Sequence, residues 1–308
     1  MHIYDLITQR ILDHLAHGTV PWHRPWHAGG LPKNLLTQKP YRGVNVWLLA
    51  SQPYTSPYWL TFLQAQEIGG RVRRGEKGTP VIFWKLRQET QDEETGEEAR
   101  GKHRAPVLRA YTVFNTDQCE LPASLTARLA LPQAQAVDRI QACDHVVEHM
   151  PQRPAIVHEE PRAYYAPGRD CVNLPAPHLF DHAEHYYATL FHELTHSTGH
   201  ASRLARPTVV NRCPFGSADY SQEELVAEMG AAFLCGHCGI ENTTLDNSAA
   251  YIQSWLTALR HESRLLIHAA AQAQQAVDFI LGTRDAHKQC DSDREDIIPR
   301  LDSEKGGE

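Results

Sequence analysis

The chain has 308 residues, of which 42% are hydrophobic, and a formal net charge of −7. That length predicts two domains with ordinary cores, and the negative charge argues against general nucleic-acid binding. No run of about 18 apolar residues occurs, so no membrane span is expected, and the seven scattered cysteines suit a reducing cytoplasm better than a disulfide framework.

The first predicted element is an amphipathic helix at residues 1–18. Apolar side chains recur there at helical spacing, and Asp5, Arg10 and Asp13 interrupt them. A secretion signal would not carry acidic residues inside its apolar region. The segment therefore indicates a helix of a soluble, cytoplasmic protein.

The first half of the chain combines tryptophans with basic residues. Residues 1–122 carry a charge balance of +3, whereas residues 123–308 carry −10. Aromatic faces stack on unpaired bases while Lys and Arg contact phosphates, so this mixture favours single-stranded DNA or RNA. The alternative is that the tryptophans are core residues. The candidate contacts, chosen by this chemistry alone, are Arg42, Trp47, Trp59, Arg71, Arg73, Arg74, Lys77 and Trp84.

A glycine-rich basic loop lies at residues 69–78 of this half. Its sequence, GGRVRRGEKG, does not fit the Walker pattern, because Glu76 and Lys77 stand at the lysine and serine or threonine positions. The glycines instead predict a bent, exposed basic loop. Strands are predicted at 80–86 and 108–114, on either side of an acidic hairpin tip at 89–98.

A second hairpin is predicted further along the chain. The runs 162–166 and 170–174 have strand character and flank a turn that contains Pro167 and Gly168. If the edge of the second run is exposed, it can align an extended peptide by strand addition. The alternative is a closed edge with no role in peptide binding.

The segment 192–196 reads His-Glu-Leu-Thr-His and lies in a run of helical periodicity. Residues four apart share a helix face, so His192 and His196 can hold one zinc ion. Glu193 can polarise a water molecule at the metal and shuttle its proton. Asp181 and Glu184 are spaced as an N-terminal cap and its partner for this helix.

A third metal ligand is expected from the next predicted helix. The longer zincin pattern would need a histidine where Ser202 stands, ten residues after His192. Glu224 and Glu228 lie one helical turn apart, so one can bind the metal while the other hydrogen-bonds a ligating histidine. Glu224 is the preferred ligand. The alternative is a capping box in which Glu224 bonds only the backbone of Ser221.

Several separate motifs resemble, in the same order, the ArdC-type antirestriction proteins. In the first half these are PWHRPW (21–26), KPYRGVN (39–45), WLTF (59–62), GRVRRGEKG (70–78) and VFN (113–115). In the second half they are HELTHSTGH (192–200), EELVAE (223–228) and YIQSWL (251–256). The resemblance covers roughly residues 1–282, and Leu63 departs from it because the family pattern has lysine there.

We therefore predict an α+β protein of two domains, the second with a zincin-like metallopeptidase fold whose third ligand is glutamate. The expected divisions are a domain binding single-stranded DNA at 1–122, a linker at 123–136, the metallopeptidase domain at 137–282 and a mobile charged tail at 283–308.

The resemblance implies a protein of conjugative plasmids, other mobile elements or phages that protects incoming DNA from host restriction in the cytoplasm. It supports His192, His196 and Glu224 as ligands of zinc and Glu193 as the acid/base residue; manganese also fits a His/His/Glu site. If the peptidase is active, a host restriction component is a candidate protein substrate. Two alternatives stay open: a DNA-binding protector with a non-catalytic metal site, and a zinc peptidase with no DNA role.

Overall fold

The structure is a computed structural model that describes residues 3–16, 31–85, 107–123, 125, 136–211, 217–240, 255, 259–260, 262 and 264–283. The predicted linker at 123–136, the charged tail at 283–308 and the acidic tip at 89–98 lie wholly or almost wholly outside these residues. No described helix is long and apolar enough to cross a membrane.

The described helices are α1 (Ile3–Ala16), α2 (Val44–Ala50), α3 (Phe62–Glu67), α4 (Ala136–Glu148), α5 (Ala183–Ser197), α6 (Pro207–Val210), α7 (Ala218–Cys238) and α8 (Leu265–Ile280). The described strands are β1 (Lys33–Asn34), β2 (Tyr58–Leu60), β3 (Arg71–Val72), β4 (Thr79–Lys85), β5 (Val107–Asn115), β6 (Cys119–Glu120), β7 (Ala155–Val157), β8 (Tyr164–Ala166) and β9 (Cys171–Asn173).

A four-stranded sheet organises the first half, in the order β1-β2-β5-β4. Its long hairpin pairs β4 with β5 from Thr79↔Val113 to Lys85↔Val107, which confirms both predicted strands to within one residue at each end. Helix α1 packs on α2 and β5, and α2 packs on β4. The apolar stripe of α1 supplies Ile7 and Ile11, both fully buried, so the predicted amphipathic helix is confirmed.

The basic loop lies between two short strands. β3 pairs antiparallel with β6 in the register Arg71↔Glu120 and Val72↔Cys119. Between β3 and β4 the chain bends at Gly75, whose φ is +89°, a value that suits glycine. Arg73, Arg74 and Lys77 are exposed. The prediction of a bent, exposed basic loop is confirmed.

A three-stranded sheet in the order β7-β9-β8 lies in the second half. β9 is parallel to β7 and antiparallel to β8, so the hairpin of β8 and β9 is confirmed. Of the two alternatives for this run, an exposed edge at 171–174 is excluded, because β9 is hydrogen-bonded on both sides. Among the described residues, the free edges of this sheet belong to β7 and β8.

Helices α5 and α7 approach closely at one point. A Cβ added to Gly230 on α7 would lie only 2.5 Å from Thr195 Cγ2 on α5. Glycine at this position therefore sets the separation of the helices that carry the predicted metal ligands.

The two halves share one hydrophobic cluster. Helix α8 packs on both α7 and α2. Trp47 on α2 stacks on Phe233 of α7, with ring centroids 4.5 Å apart. Arg42 forms an ion pair with Asp278 of α8. Apolar packing and a polar contact thus both cross between the halves.

Candidate metal centre

Helix α5 carries the His-Glu-Leu-Thr-His segment in its last turns. Its N-cap is His182, which makes no side-chain capping hydrogen bond, so the predicted cap by Asp181 and its partner Glu184 is wrong. The helix ends at the C-cap Thr198. Gly199 follows, and a Cβ there would clash with Val209. Its small size, rather than a left-handed backbone, is what this position requires.

Helix α7 carries the acidic residues of the site. Its N-cap is Ser217, whose hydroxyl accepts a hydrogen bond from the Tyr220 backbone amide at 3.2 Å. Ser221 is therefore inside the helix and cannot cap it. This excludes the capping-box alternative for Glu224, whose side chain is directed at α5 instead.

Three side chains converge between α5 and α7. His192 Nε2 and His196 Nε2 are 3.1 Å apart. Glu224 Oε2 lies 3.5 Å from His192 Nε2, and Glu224 Oε1 lies 3.6 Å from His196 Nε2. Zinc–ligand bonds of about 2.0–2.1 Å in tetrahedral geometry separate donor atoms by roughly 3.3 Å. The donor set and its spacing therefore fit one divalent metal ion.

Each histidine has a carboxylate at its other ring nitrogen. Glu228, expected beside one of the ligating histidines, places Oε1 3.6 Å from His192 Nδ1. Glu223 Oε1 lies 3.2 Å from His196 Nδ1. Such partners hold the imidazole ring so that Nε2 faces the metal.

Glu223 is a site residue that the sequence reasoning missed. Its carboxylate accepts hydrogen bonds from Arg206 Nη2 at 2.6 Å and from Thr208 Oγ1 at 2.6 Å. The available signal was its position beside Glu224, since neighbouring residues on a helix can flank one histidine. Arg206, which donates to Glu223, lies just before α6 and belongs to no sequence motif.

Two carboxyls of the site are held in their ionised forms. Burial opposes ionisation of Glu224, but His196 and His192 outweigh it and lower its pKa to about 2. Burial likewise opposes ionisation of Glu223, but Arg206 and His196 lower the pKa of that carboxyl to about 2. Both groups are thus anionic near neutral pH, as metal ligation and its support require.

Glu193 has a different environment. Burial raises the pKa of its carboxyl, although His192 and His196 partly oppose this effect. The backbone of Tyr165 in β8 lies close enough to this carboxyl to lower its pKa as well. The Glu193 side chain therefore extends from helix α5 toward the edge strand β8.

The tryptophans predicted to contact DNA are core residues. Trp47 is 0% exposed and Trp59 is 2% exposed; Trp59 packs edge-on against Tyr54. Their rings have no face free for a base, which corrects the prediction for both. The side chain of Trp84 lies outside the described residues.

The predicted cations have different surroundings. Arg42 is paired with Asp278 between the halves, and Arg71 is paired with Glu120 at 2.6 Å. Arg73 pairs with Glu76 and donates to a backbone carbonyl. In the part of the chain that the structure describes, Arg74 and Lys77 have no carboxylate partner and are exposed.

Two family profiles match the chain. The N-terminal domain of the anti-restriction factor ArdC matches residues 1–114, and a zincin-like metallopeptidase matches residues 143–272. The crystal structure of the antirestriction protein ArdC from the R388 plasmid, in metal-free form, is 38% identical with a TM-score of 0.73, over 93% of this chain and 99% of that one. The chain belongs to the ArdC family of antirestriction proteins. The predicted α+β fold of two domains, the second zincin-like, is confirmed.

A second ArdC structure and three further proteins are also similar to this chain. The Mn(II)-bound structure of R388 ArdC is 35% identical with a TM-score of 0.70, over 92% of this chain and 98% of that one. The y4eC protein of Sinorhizobium fredii is 34% identical over 291 residues, which cover 90% of this chain and 91% of that protein. Two Escherichia coli proteins named DNA primase TraC are 36% and 34% identical over 90% of this chain. The chain spans only 27% and 20% of their lengths.

Proposed function

We propose that this ArdC-family protein binds single-stranded DNA with its first half and hydrolyses peptide bonds at the centre formed by His192, His196 and Glu224. By this activity it protects incoming DNA of a mobile element from host restriction. The observation that carries the proposal is the convergence of three metal donors at tetrahedral spacing beside the buried carboxyl of Glu193.

The proposed metal ligands are His192, His196 and Glu224. Two imidazoles and a carboxylate suit zinc and also manganese, and the Mn(II)-bound structure of R388 ArdC supports a divalent ion here. A metal bound by three protein ligands supplies a Lewis acid that polarises a carbonyl and acidifies water. Glu228 and Glu223 keep the two imidazoles oriented through their Nδ1 atoms.

Glu193 is the proposed acid/base residue. It follows His192 directly, so its carboxyl is next to the donor set without being part of it. Burial raises its pKa, which moves the group toward the range in which it can both accept and return a proton near neutral pH. Glutamine at this position should therefore keep the metal and lose hydrolysis.

β8 is the proposed strand for peptide alignment, in place of β9. It is an edge strand, and the backbone of Tyr165 on it lies beside the Glu193 carboxyl. An extended peptide added along this edge would lie beside the catalytic carboxyl. Backbone hydrogen bonds would then supply affinity without demanding one particular sequence.

The basic loop provides the proposed phosphate contacts, Arg71, Arg73, Arg74 and Lys77. In this scheme the bound strand localises the peptidase beside a protein that meets the entering DNA, such as a host restriction component. The family's antirestriction name and the DNA primase name of the TraC relatives both support a role on DNA.

The decisive experiment compares wild type, Glu193→Gln and His192→Ala/His196→Ala. Elemental analysis should find about one divalent ion per chain in wild type and Glu193→Gln, and little in the double variant. Oligonucleotide binding should be equal in all three. Conjugal transfer into a restricting recipient should be protected only by wild type, and cleavage of a host protein in a recipient lysate should follow the same pattern.

Each alternative predicts a different result. If Glu193→Gln protects as well as wild type, the protein is a DNA-binding protector whose metal site is not catalytic. If wild type cleaves protein but binds no single strand at low salt, it is a zinc peptidase with no DNA role. A steep loss of oligonucleotide binding with added salt would indicate phosphate contacts.

A further inference from the structure

We infer that Phe62, which contacts Phe114 beside the end of the basic loop, is the surface on which an unpaired base of the bound strand stacks. We call Phe62, Phe114 and the exposed cations of that loop, Arg74 and Lys77, the aromatic-basic face. The inference rests on the proposed binding of single-stranded DNA and names a residue that the sequence reasoning had not considered for it.

Phe62 is exposed, and other residues hold the start of its helix. It is the first residue of α3 and is 49% exposed. The start of this helix is held by polar groups, because Thr61 and Gln64 form a capping box and Gln64 accepts a hydrogen bond from Asn34 at 3.1 Å. The phenyl ring is therefore presented to solvent on a fixed backbone without being needed to anchor the helix.

Phe114 of β5 supports the ring of Phe62 from one side. The two centroids are 6.5 Å apart with an interplanar angle of 62°, an edge-on contact that leaves a face of Phe62 open. A Cβ on Gly78 would lie 3.0 Å from Phe114 Cζ. The end of the basic loop therefore packs against Phe114 at Gly78, one residue after Lys77.

The loop is held in place by Gln118, which is fully buried. Its side-chain amide donates to the Lys77 carbonyl at 3.0 Å and to Glu76 at 3.1 Å, and its backbone carbonyl accepts from the Arg73 amide at 2.9 Å. Such anchoring lowers the entropy cost of ordering the loop around a ligand.

The charge of the face is carried by two residues of this loop. Arg71 and Arg73 are engaged by Glu120 and Glu76. Arg74 and Lys77 remain exposed, with no carboxylate partner among the described residues. An open aromatic face next to unneutralised cations is the combination that binds an unpaired nucleotide strand.

Single-stranded nucleic acid matches the aromatic-basic face better than a protein partner does. An apolar docking surface on a protein gains from a broad hydrophobic centre with few charges, whereas here two exposed apolar side chains, Phe62 and Leu63, stand on a half that also carries the exposed cations of the basic loop. A duplex keeps its base faces stacked inside, so only unpaired bases can cover Phe62. The buried Trp47 and Trp59 leave Phe62 as an available aromatic group on this half.

The test uses Phe62→Leu, which keeps an apolar side chain but removes the ring, and Phe62→Trp, which keeps an aromatic face. The probes are a fluorescein-labelled oligothymidylate and a strand of equal length whose sugars lack bases, measured by fluorescence anisotropy. Phe62→Leu should bind oligothymidylate about five-fold or more weakly, the loss of one stacking contact. It should bind the abasic strand as wild type does, and Phe62→Trp should match wild type on both.

Two further variants complete the design. Lys77→Ala should weaken binding of both strands alike and lower the salt slope by about 0.7, since it removes one phosphate contact to a single strand. Val210→Ala changes another exposed apolar residue, 47% exposed on α6, and should change neither affinity. Metal content equal to that of wild type shows that each variant is folded.

Three results would overturn the inference. The first is that Phe62→Leu binds oligothymidylate as tightly as wild type does. The second is that Phe62→Leu loses equal affinity for both strands. The third is that Phe62→Trp binds oligothymidylate more weakly than wild type does. In each case wild type still binds the oligonucleotide, so the proposed DNA role survives. Absence of binding by wild type itself would refute the proposed DNA role together with the inference.

Discussion

At the scale of single residues, the metal centre depends on groups that never touch the ion. Arg206 is 4% exposed and donates both to Glu223 and to the backbone carbonyl of Thr195 at 2.8 Å. It thereby joins the end of α5 to the beginning of α7. Glu223 passes this anchoring on to His196 through a hydrogen bond, so the orientation of one ligand is set by a cation from outside both helices.

Glu223→Gln should weaken both folding and metal binding. The change leaves the buried guanidinium of Arg206 without its counter-charge, which costs about 3–5 kcal/mol when a buried pair is broken. Loss of the carboxylate behind a ligating histidine typically lowers metal affinity by about 10–100-fold. Urea unfolding of the metal-free protein and a competitive zinc titration measure the two effects.

Glu120→Gln is the matched control for this prediction. Glu120 is 53% exposed in its ion pair with Arg71, so its change should alter stability by less than about 1 kcal/mol. Equal zinc affinity of Glu223→Gln and wild type would show that Glu223 does not orient His196.

At the scale of elements, Arg203 ties helix α5 to the β8–β9 hairpin. Its guanidinium is almost completely buried and donates to the Ser197 carbonyl at 2.7 Å, to Tyr165 Oη at 3.1 Å and to Asp170. Because Tyr165 is in β8, this network sets the distance between the edge strand and Glu193. The hairpin therefore contributes to the geometry around the metal centre although it supplies no metal ligand.

Asp170→Asn should make stability less dependent on acid. Hydrogen bonding from Arg203 lowers the pKa of Asp170 below its usual value. The ionised carboxylate thus contributes stability above the unfolded-state pKa of about 3.9, and this is lost as pH falls through the lower folded-state pKa. Asp170→Asn should be less stable than wild type at neutral pH. The difference in unfolding free energy should shrink as the pH falls below the unfolded-state pKa of about 3.9 toward the folded-state pKa.

Urea midpoints of the two proteins, measured with a chelator so that metal release does not intervene, test this expectation. Asp181→Asn serves as the control, because that exposed residue does not form the cap once expected of it. A constant difference between Asp170→Asn and wild type at all pH values would contradict the assigned ion pair.

At the scale of the whole molecule, the two halves of the chain pack directly against each other. Trp47 and Phe233 stack across the boundary, and α8 contacts elements of both halves. One hydrophobic cluster includes Ile7 of α1 and Leu225 of α7. The proposed DNA-binding surface and the metal centre therefore belong to halves that share one hydrophobic core.

Phe233→Ala should destabilise both halves at once. Removing a fully buried phenyl ring costs about 3–5 kcal/mol, and the loss falls on a contact that the halves share. Loss of tryptophan fluorescence and loss of bound zinc should then shift together to lower urea concentration. Val210→Ala should leave both transitions unchanged. Separate transitions for the two signals would show that the halves unfold independently.

The local parts of the site could be read from the sequence by itself. His192, His196, Glu224 and Glu228 were all found from spacing, because the geometry of a helix depends on neighbouring residues and repeats every 3.6 positions. The hairpin β4–β5 and the bent basic loop followed from short-range patterns in the same way. These features need no knowledge of what packs against them.

Only the tertiary structure decided the features that depend on distant segments. Trp47 and Trp59 occur among basic residues, a composition that is typical of a DNA-binding surface. In the folded protein, Phe233 packs on Trp47 and Tyr54 packs on Trp59. β9 looked like an edge, but β7, from an earlier part of the chain, pairs with it. Arg206 has no motif and reaches Glu223 by folding. Burial, strand order and ion pairing are set by long-range packing, and a residue's near neighbours in the sequence do not record what will cover it.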